Sequence, residues 1–156
     1  MHRIAAAIDQ KIDLVAGAFS STPEKSKASG KELLIADDRC YGTFEDMLNA
    51  EAALPADQRI DFISIVTPNH MHFPPAKMAL EKGFHVLSDK PACFDLQQSK
   101  DLKGIIDATG KLYGLTHNYT GYPMVKQARD MVAAGDLGEI RKIVVEYPQG
   151  WLATRL

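Results

Sequence analysis

Residues 60–91 constrain the fold more than any other stretch of the chain. They read I-D-F-I-S-I-V-T-P-N-H-M-H, then a segment of helical spacing, then F-H-V-L-S-D-K-P. The run 60–66 is almost unbroken apolar sequence, rich in β-branched residues and too short for a typical helix. It suits a strand buried on both faces, as in a parallel sheet beneath helices. Thr67, Pro68 and Asn69 stop it, because proline cannot extend a ladder and asparagine favours turns. Pro74 and Pro75 suit a first helical turn, Ala76, Ala79 and Leu80 recur at helical spacing, and Gly83 fits the position past the helix end. A second strand over 84–87 ends at Ser88, Asp89, Lys90 and Pro91. The unit is βαβ, with a polar cluster after the carboxyl end of each strand, where open α/β sheets bind ligands.

The chain has 156 residues, enough for one domain with a real core. A net charge of −2 gives no electrostatic reason to propose nucleic acid or an anionic membrane as a partner. No stretch is long and apolar enough to span a bilayer. Cys40 and Cys93 form no C-x-x-C pair and are expected to be free thiols in a cytoplasmic protein.

The remaining segments extend the same alternation. Residues 2–9 read as part of a helix with Ile4, Ala5 and Ile8 on one face, and 12–19 as a strand. Thr22 and Pro23 open a polar, peripheral helix, and Thr43 with Asp46 opens another. Asp95 with Gln98 starts a helix that Gly110 ends, and 112–116 is a short strand. Pro123 begins a helix with Val125, Ala128 and Val132 on one side, closed by Gly135. Residues 139–147 alternate as a strand does. Strands and helices in turn give an α/β fold with a mainly parallel sheet. No G-x-G-x-x-G occurs in the chain, although a doubly wound dinucleotide fold begins with a strand, that loop and a helix. The expectation is a Rossmann-like doubly wound sheet lacking its first strand and glycine-rich loop: an internal fragment, or a mis-started frame, of a longer protein.

His70 and His72 sit two apart at a turn, with no carboxylate or cysteine to complete a set, so no metal site is expected. Lys90 and Pro91 alone would make an ordinary surface turn. Their place after a buried strand, behind Thr67, Pro68 and Asn69, raises them to a candidate site.

Thr67-Pro68-Asn69 with His72, Gly83-Phe84-His85-Val86, Asp89-Lys90-Pro91 and Gly135-Asp136-Leu137-Gly138-Glu139-Ile140 together resemble the Gfo/Idh/MocA oxidoreductases, in order and over nearly the whole chain. The resemblance implies an N-terminal Rossmann domain over residues 1–121, with 122–156 as a linker helix and the first strand of a truncated substrate domain. It implies NAD or NADP as cofactor, a sugar-like or polyol substrate, and a parent protein that assembles from several copies. Lys90 matches the family's catalytic lysine, whose charge can stabilise a developing oxyanion, and Asp89 stands where relatives carry glutamate. Thr67, Pro68, Asn69 and His72 match the segment along the cofactor. Asn118 follows the next strand and is implied to approach the cofactor, with Tyr119 and Tyr122 near the substrate. Ser20 and Ser21 occupy the place where an acid would hold an NAD ribose, which leans toward NADP or dual use. The family's second-domain acid and histidine have no counterpart here. The alternative is a non-catalytic nucleotide-binding or interaction module, inactive alone.

Overall fold

The computed structural model describes residues 2–153 of the chain. They divide between Thr116 and His117 into two compact units.

The first unit is built on three parallel strands in the order β1 (Phe62–Ile65), β2 (His85–Asp89) and β3 (Tyr113–Thr116). Parallel neighbours need long crossovers, and α4 (Phe73–Glu81) and α5 (Leu96–Thr109) supply them. Preceding these are α1 (His2–Ala7), α2 (Pro23–Glu32) and α3 (Phe44–Ala53). Helix α4 carries its prolines in the first turn, where no N–H is needed, and its Ala76, Ala79 and Leu80 are fully buried. Gly83, at φ +87°, turns the chain out of the helix in the left-handed region that favours glycine. The Asp95 carboxylate caps α5 by accepting from the Gln98 N–H at 2.8 Å. Thr43 caps α3 in the same way, accepting from the Asp46 N–H at 3.0 Å. The core joins Met47 and Leu48 of α3 to Ile63, Leu80, Phe84, Val86 and Leu102.

Five expectations are corrected. Strand β1 is not buried on both faces: Ile63 and Ile65 are buried, whereas Ser64 and Val66 are exposed. Side chains alternate across a strand, and the core gathers on the isoleucine side only. Residues 12–19 are not a strand. They hold a single parallel bridge, Gly17 to Cys40, in which the Gly17 N–H donates to Arg39 and the Tyr41 N–H to Gly17. Ile12, Leu14 and Val15 find no ladder among the described residues and are exposed. Thr22 does stand at the N-cap of α2, but its side chain makes no capping bond. Ser20 Oγ instead accepts from the Thr22 N–H at 3.2 Å.

The fourth correction concerns the second unit, which holds a turn at Asn118–Gly121 and α6 (Pro123–Ala134), closed by Gly135 at φ +80°. Residues 139–147 form no strand there, because no second strand among the described residues offers a ladder. Ile143, Val144 and Val145 are open to solvent.

Helix α2 is polar but not wholly peripheral. Ser26 is fully buried: its Oγ accepts from the Phe19 N–H at 2.8 Å and donates to the Tyr41 carbonyl at 2.6 Å. Gly30 packs on Cys40 so closely that an added Cβ would lie 2.3 Å from its sulfur. Gly30→Ala is therefore expected to destabilise the chain by about 1–3 kcal/mol through overpacking, even though alanine is the better helix former. A urea midpoint at or above that of the parent chain would show that Cys40 yields freely. No described helix is long and apolar enough to cross a membrane.

Candidate functional site

The carboxyl ends of the three strands collect the polar residues of the first unit. After β1, Thr67, Pro68 and Asn69 turn outward and are exposed. Thr67 Oγ1 donates to the Met71 carbonyl at 2.9 Å, and the Met71 N–H donates to the Pro68 carbonyl at 2.8 Å, which closes the turn as a short 3-10 helix over Asn69–Met71. His72 behaves differently from the three residues before it. Its ring is 1% exposed, with Nε2 2.8 Å from the Thr67 carbonyl oxygen and Nδ1 2.5 Å from that of Pro91. His70 stays exposed.

Asp89 closes β2, directly opposite Thr116 of β3. Its Oδ1 accepts from Thr116 Oγ1 at 2.6 Å and from His2 Nε2 at 2.9 Å. The Thr116 bond holds this carboxyl below the usual carboxylate range, burial opposes that effect, and the His2 bond reinforces it. A carboxylate with a depressed pKa stabilises the fold above its ordinary value of about 4, and the contribution fades as pH falls through the folded-state value. Asp89→Asn should therefore cost stability at neutral pH, by less than about 1 kcal/mol for so exposed a group. The deficit should vanish in acid. Urea midpoints for both chains from neutrality down to the acid limb test this, and a deficit unchanged by pH would refute it.

Lys90 follows, exposed, and joined to Pro91 by a cis peptide bond. Its ammonium makes no hydrogen bond or ion pair among the described residues. An uncommitted cation thus stands beside an anchored carboxylate and one strand away from an exposed Thr-Pro-Asn turn. That arrangement can receive an oxygen that gains negative charge, or an amide- and hydroxyl-rich ligand lying over the strand ends.

The sequence candidates fall into three sets. Thr67, Pro68, Asn69, His72, Asp89 and Lys90 share the end of the sheet. Ser20 and Ser21 lie before α2, and no hydrogen bond links them to that group. Asn118, Tyr119 and Tyr122 belong to the second unit, where the two tyrosine rings meet edge to face at 5.7 Å. A hydrogen bond with Tyr147 raises the Tyr119 phenol above its ordinary range. His2 and Thr116 were missed as partners of Asp89. His2 lies 87 residues away in sequence, and nothing local to either residue signals the contact. Among the described residues no group of three or more histidine, cysteine, aspartate or glutamate side chains could hold a metal.

Comparison with known proteins agrees with this fold. The family model for oxidoreductases with an NAD-binding Rossmann fold matches residues 2–119. An uncharacterized oxidoreductase of Bacillus subtilis, YfiI, is 36% identical over 154 residues, which is 98% of this chain and 39% of the relative. D-xylose 1-dehydrogenase (NADP(+)) of Hypocrea jecorina is 27% identical over 145 residues, covering 92% of this chain and 35% of the enzyme. An inositol dehydrogenase homolog from Azotobacter vinelandii, solved with NADH and myo-inositol, superposes with a TM-score of 0.85 at 41% identity, over 90% of this chain and 36% of that one. The chain thus spans about two fifths of the length of its relatives. With its parallel sheet, its polar strand ends and a family match over most of its length, the chain belongs to the Gfo/Idh/MocA family of oxidoreductases, on an NAD-binding Rossmann fold.

Proposed function

We propose that this chain is the cofactor-binding part of an NAD(P)-dependent oxidoreductase acting on a hydroxyl-bearing carbon of a sugar, polyol or related compound. The uncommitted ammonium of Lys90 at the end of β2 carries the reading. A nicotinamide supplies or accepts hydride when bound, and the strand ends offer its carboxamide end the exposed turn residues Thr67 and Asn69 and, at the end of the next strand, the Lys90 ammonium. Lys90 then holds the substrate oxygen and stabilises the charge that develops on it, and a lysine there can also pass a proton. Asp89, fixed by Thr116 and His2, keeps the neighbouring backbone in place. The pyrophosphate end is less well provided for, since the sequence has no G-x-G-x-x-G.

The finer assignments follow the same reading. Residues 1–121 serve the cofactor, and 122–156 lead toward a substrate domain. Asn118 faces the cofactor and Tyr119 and Tyr122 the substrate, and neutral Ser20 and Ser21 admit a 2′-phosphate. The protein works in the cytoplasm, consistent with two buried free cysteines, and as an assembly of several copies.

Calorimetric titration of the chain with NADH and with NADPH tests the proposal. Micromolar binding is expected, weakened roughly tenfold by Lys90→Ala, the usual scale for losing a hydrogen bond to a charged group. A folded chain that binds neither nucleotide would favour the non-catalytic interaction module instead.

A further inference from the structure

We propose that His72 is a positioning residue: its ring fastens the turn after β1 to the peptide after Lys90 and so sets where the Lys90 ammonium stands. The inference rests on Lys90 being the functional cation. Three observations carry it beyond an ordinary buried histidine.

The first is the nature of the partners. Both are backbone carbonyls in loops, Thr67 five residues before the ring and Pro91 nineteen after it, at the ends of neighbouring strands. The ring therefore spans two turns that, among the described residues, share no other hydrogen bond, apart from ladder pairing further back in β1 and β2.

The second is chemical balance. Both partners only accept. Each ring nitrogen meets one of these oxygens, so whichever nitrogen carries the N–H, the ring is oriented between the two carbonyls.

The third is where the anchors fall along the chain. Asp89, just before Lys90, is held by Thr116 and His2, and Pro91, just after it, is held by His72. The backbone of Lys90 is thus fixed on both sides while its side chain stays free. Only the His72 anchor also runs to the Thr67 turn, so movement of that turn is transmitted to the lysine.

The test uses reductive 13C-methylation of the lysines of the whole chain, with Lys90→Arg identifying the Lys90 signal. His72→Asn should move that signal. It should also weaken NADH binding by about tenfold in the parent, yet by less than about twofold in a Lys90→Ala background, the non-additivity of residues that act as a unit. His72→Gln, which keeps an amide donor at greater reach, should restore part of both effects. A folded His72→Asn or His72→Gln chain with the Lys90 signal unmoved would overturn the proposal, as would an equal loss of NADH affinity in both backgrounds. If neither variant folds, the unsubstituted chain decides. With 15N-labelled histidine, a slowly exchanging ring N–H signal is expected for His72, and its absence would overturn the clamp. If the parent chain binds no NADH, the cofactor reading fails for this chain, while the Lys90 signal still decides whether His72 positions it.

Discussion

Glu51→Ala is expected to destabilise the chain by about 3–5 kcal/mol, the scale for breaking a buried ion pair by removing one partner. Glu51 is fully buried on α3. One carboxylate oxygen accepts from Arg39 Nε at 3.0 Å and from the Tyr41 hydroxyl at 3.0 Å. The other accepts from the Ile60 N–H at 3.1 Å and from Arg39 Nη2. Alanine would leave a largely buried guanidinium, a phenol and a buried backbone N–H without their acceptor, and each loss is costly. Glu51→Gln separates charge from shape: it keeps the volume but turns an amide NH2 toward two of the four donors. It should cost about 2 kcal/mol. A second readout is the Tyr41 phenol, pushed up to about 12 by burial first and by its bond to Glu51 next. Losing the carboxylate should bring that ionisation down, visible as tyrosinate absorbance at lower pH. A urea-derived loss under about 1 kcal/mol would mean that the network relaxes around the gap.

Phe84→Ala should cost a similar amount, about 3–5 kcal/mol, for a different reason. Phe84 is 1% exposed and stands between α4 and β2, where its N–H donates to the Ala79 carbonyl at 2.9 Å. Removing the ring opens a cavity among side chains that are already fully buried, including Ala79 and Leu80, and these have no room to collapse inward. The Arg59 guanidinium lies 5.2 Å from the ring centroid, so a cation–π contact is lost as well. Phe84→Leu keeps most of the volume and should lose less than about 1.5 kcal/mol. Thermal unfolding separates the two variants. Equal losses would point to the ring's electrostatics rather than its volume. Because Phe84 leads directly into β2, the alanine variant should also weaken NADH binding through the strand that carries Asp89 and Lys90.

The local grammar of the sequence foretold much of this. Prolines 74 and 75, Gly83, Asp95 and Gly110 sit where their covalent chemistry demands, and the strands they separate appear within a residue or two of expectation. What failed was pairing. Residues 12–19 and 139–147 have the composition of strands, but a strand is a relation between segments, and composition does not say whether a neighbour is present. The candidate site divides along the same line. Lys90 was legible as a candidate from its turn and its resemblance. The burial of His72 and the anchoring of Asp89 by His2 and Thr116 depend on contacts across 19 to 87 residues, which no local pattern encodes.

The pairing of Asp89 with Thr116 bears also on how the sheet assembles. Parallel strands can pair out of step, and a ladder of backbone bonds alone distinguishes one register poorly from the next. In the native alignment the carboxylate meets a hydroxyl; one step back along β3 it would meet Leu115, and two steps back Gly114. Slipped back in this way, the pair would leave the acid facing an apolar neighbour or none. The residue beside the candidate lysine therefore doubles as a proofreading mark, favouring the alignment in which Asp89 meets Thr116.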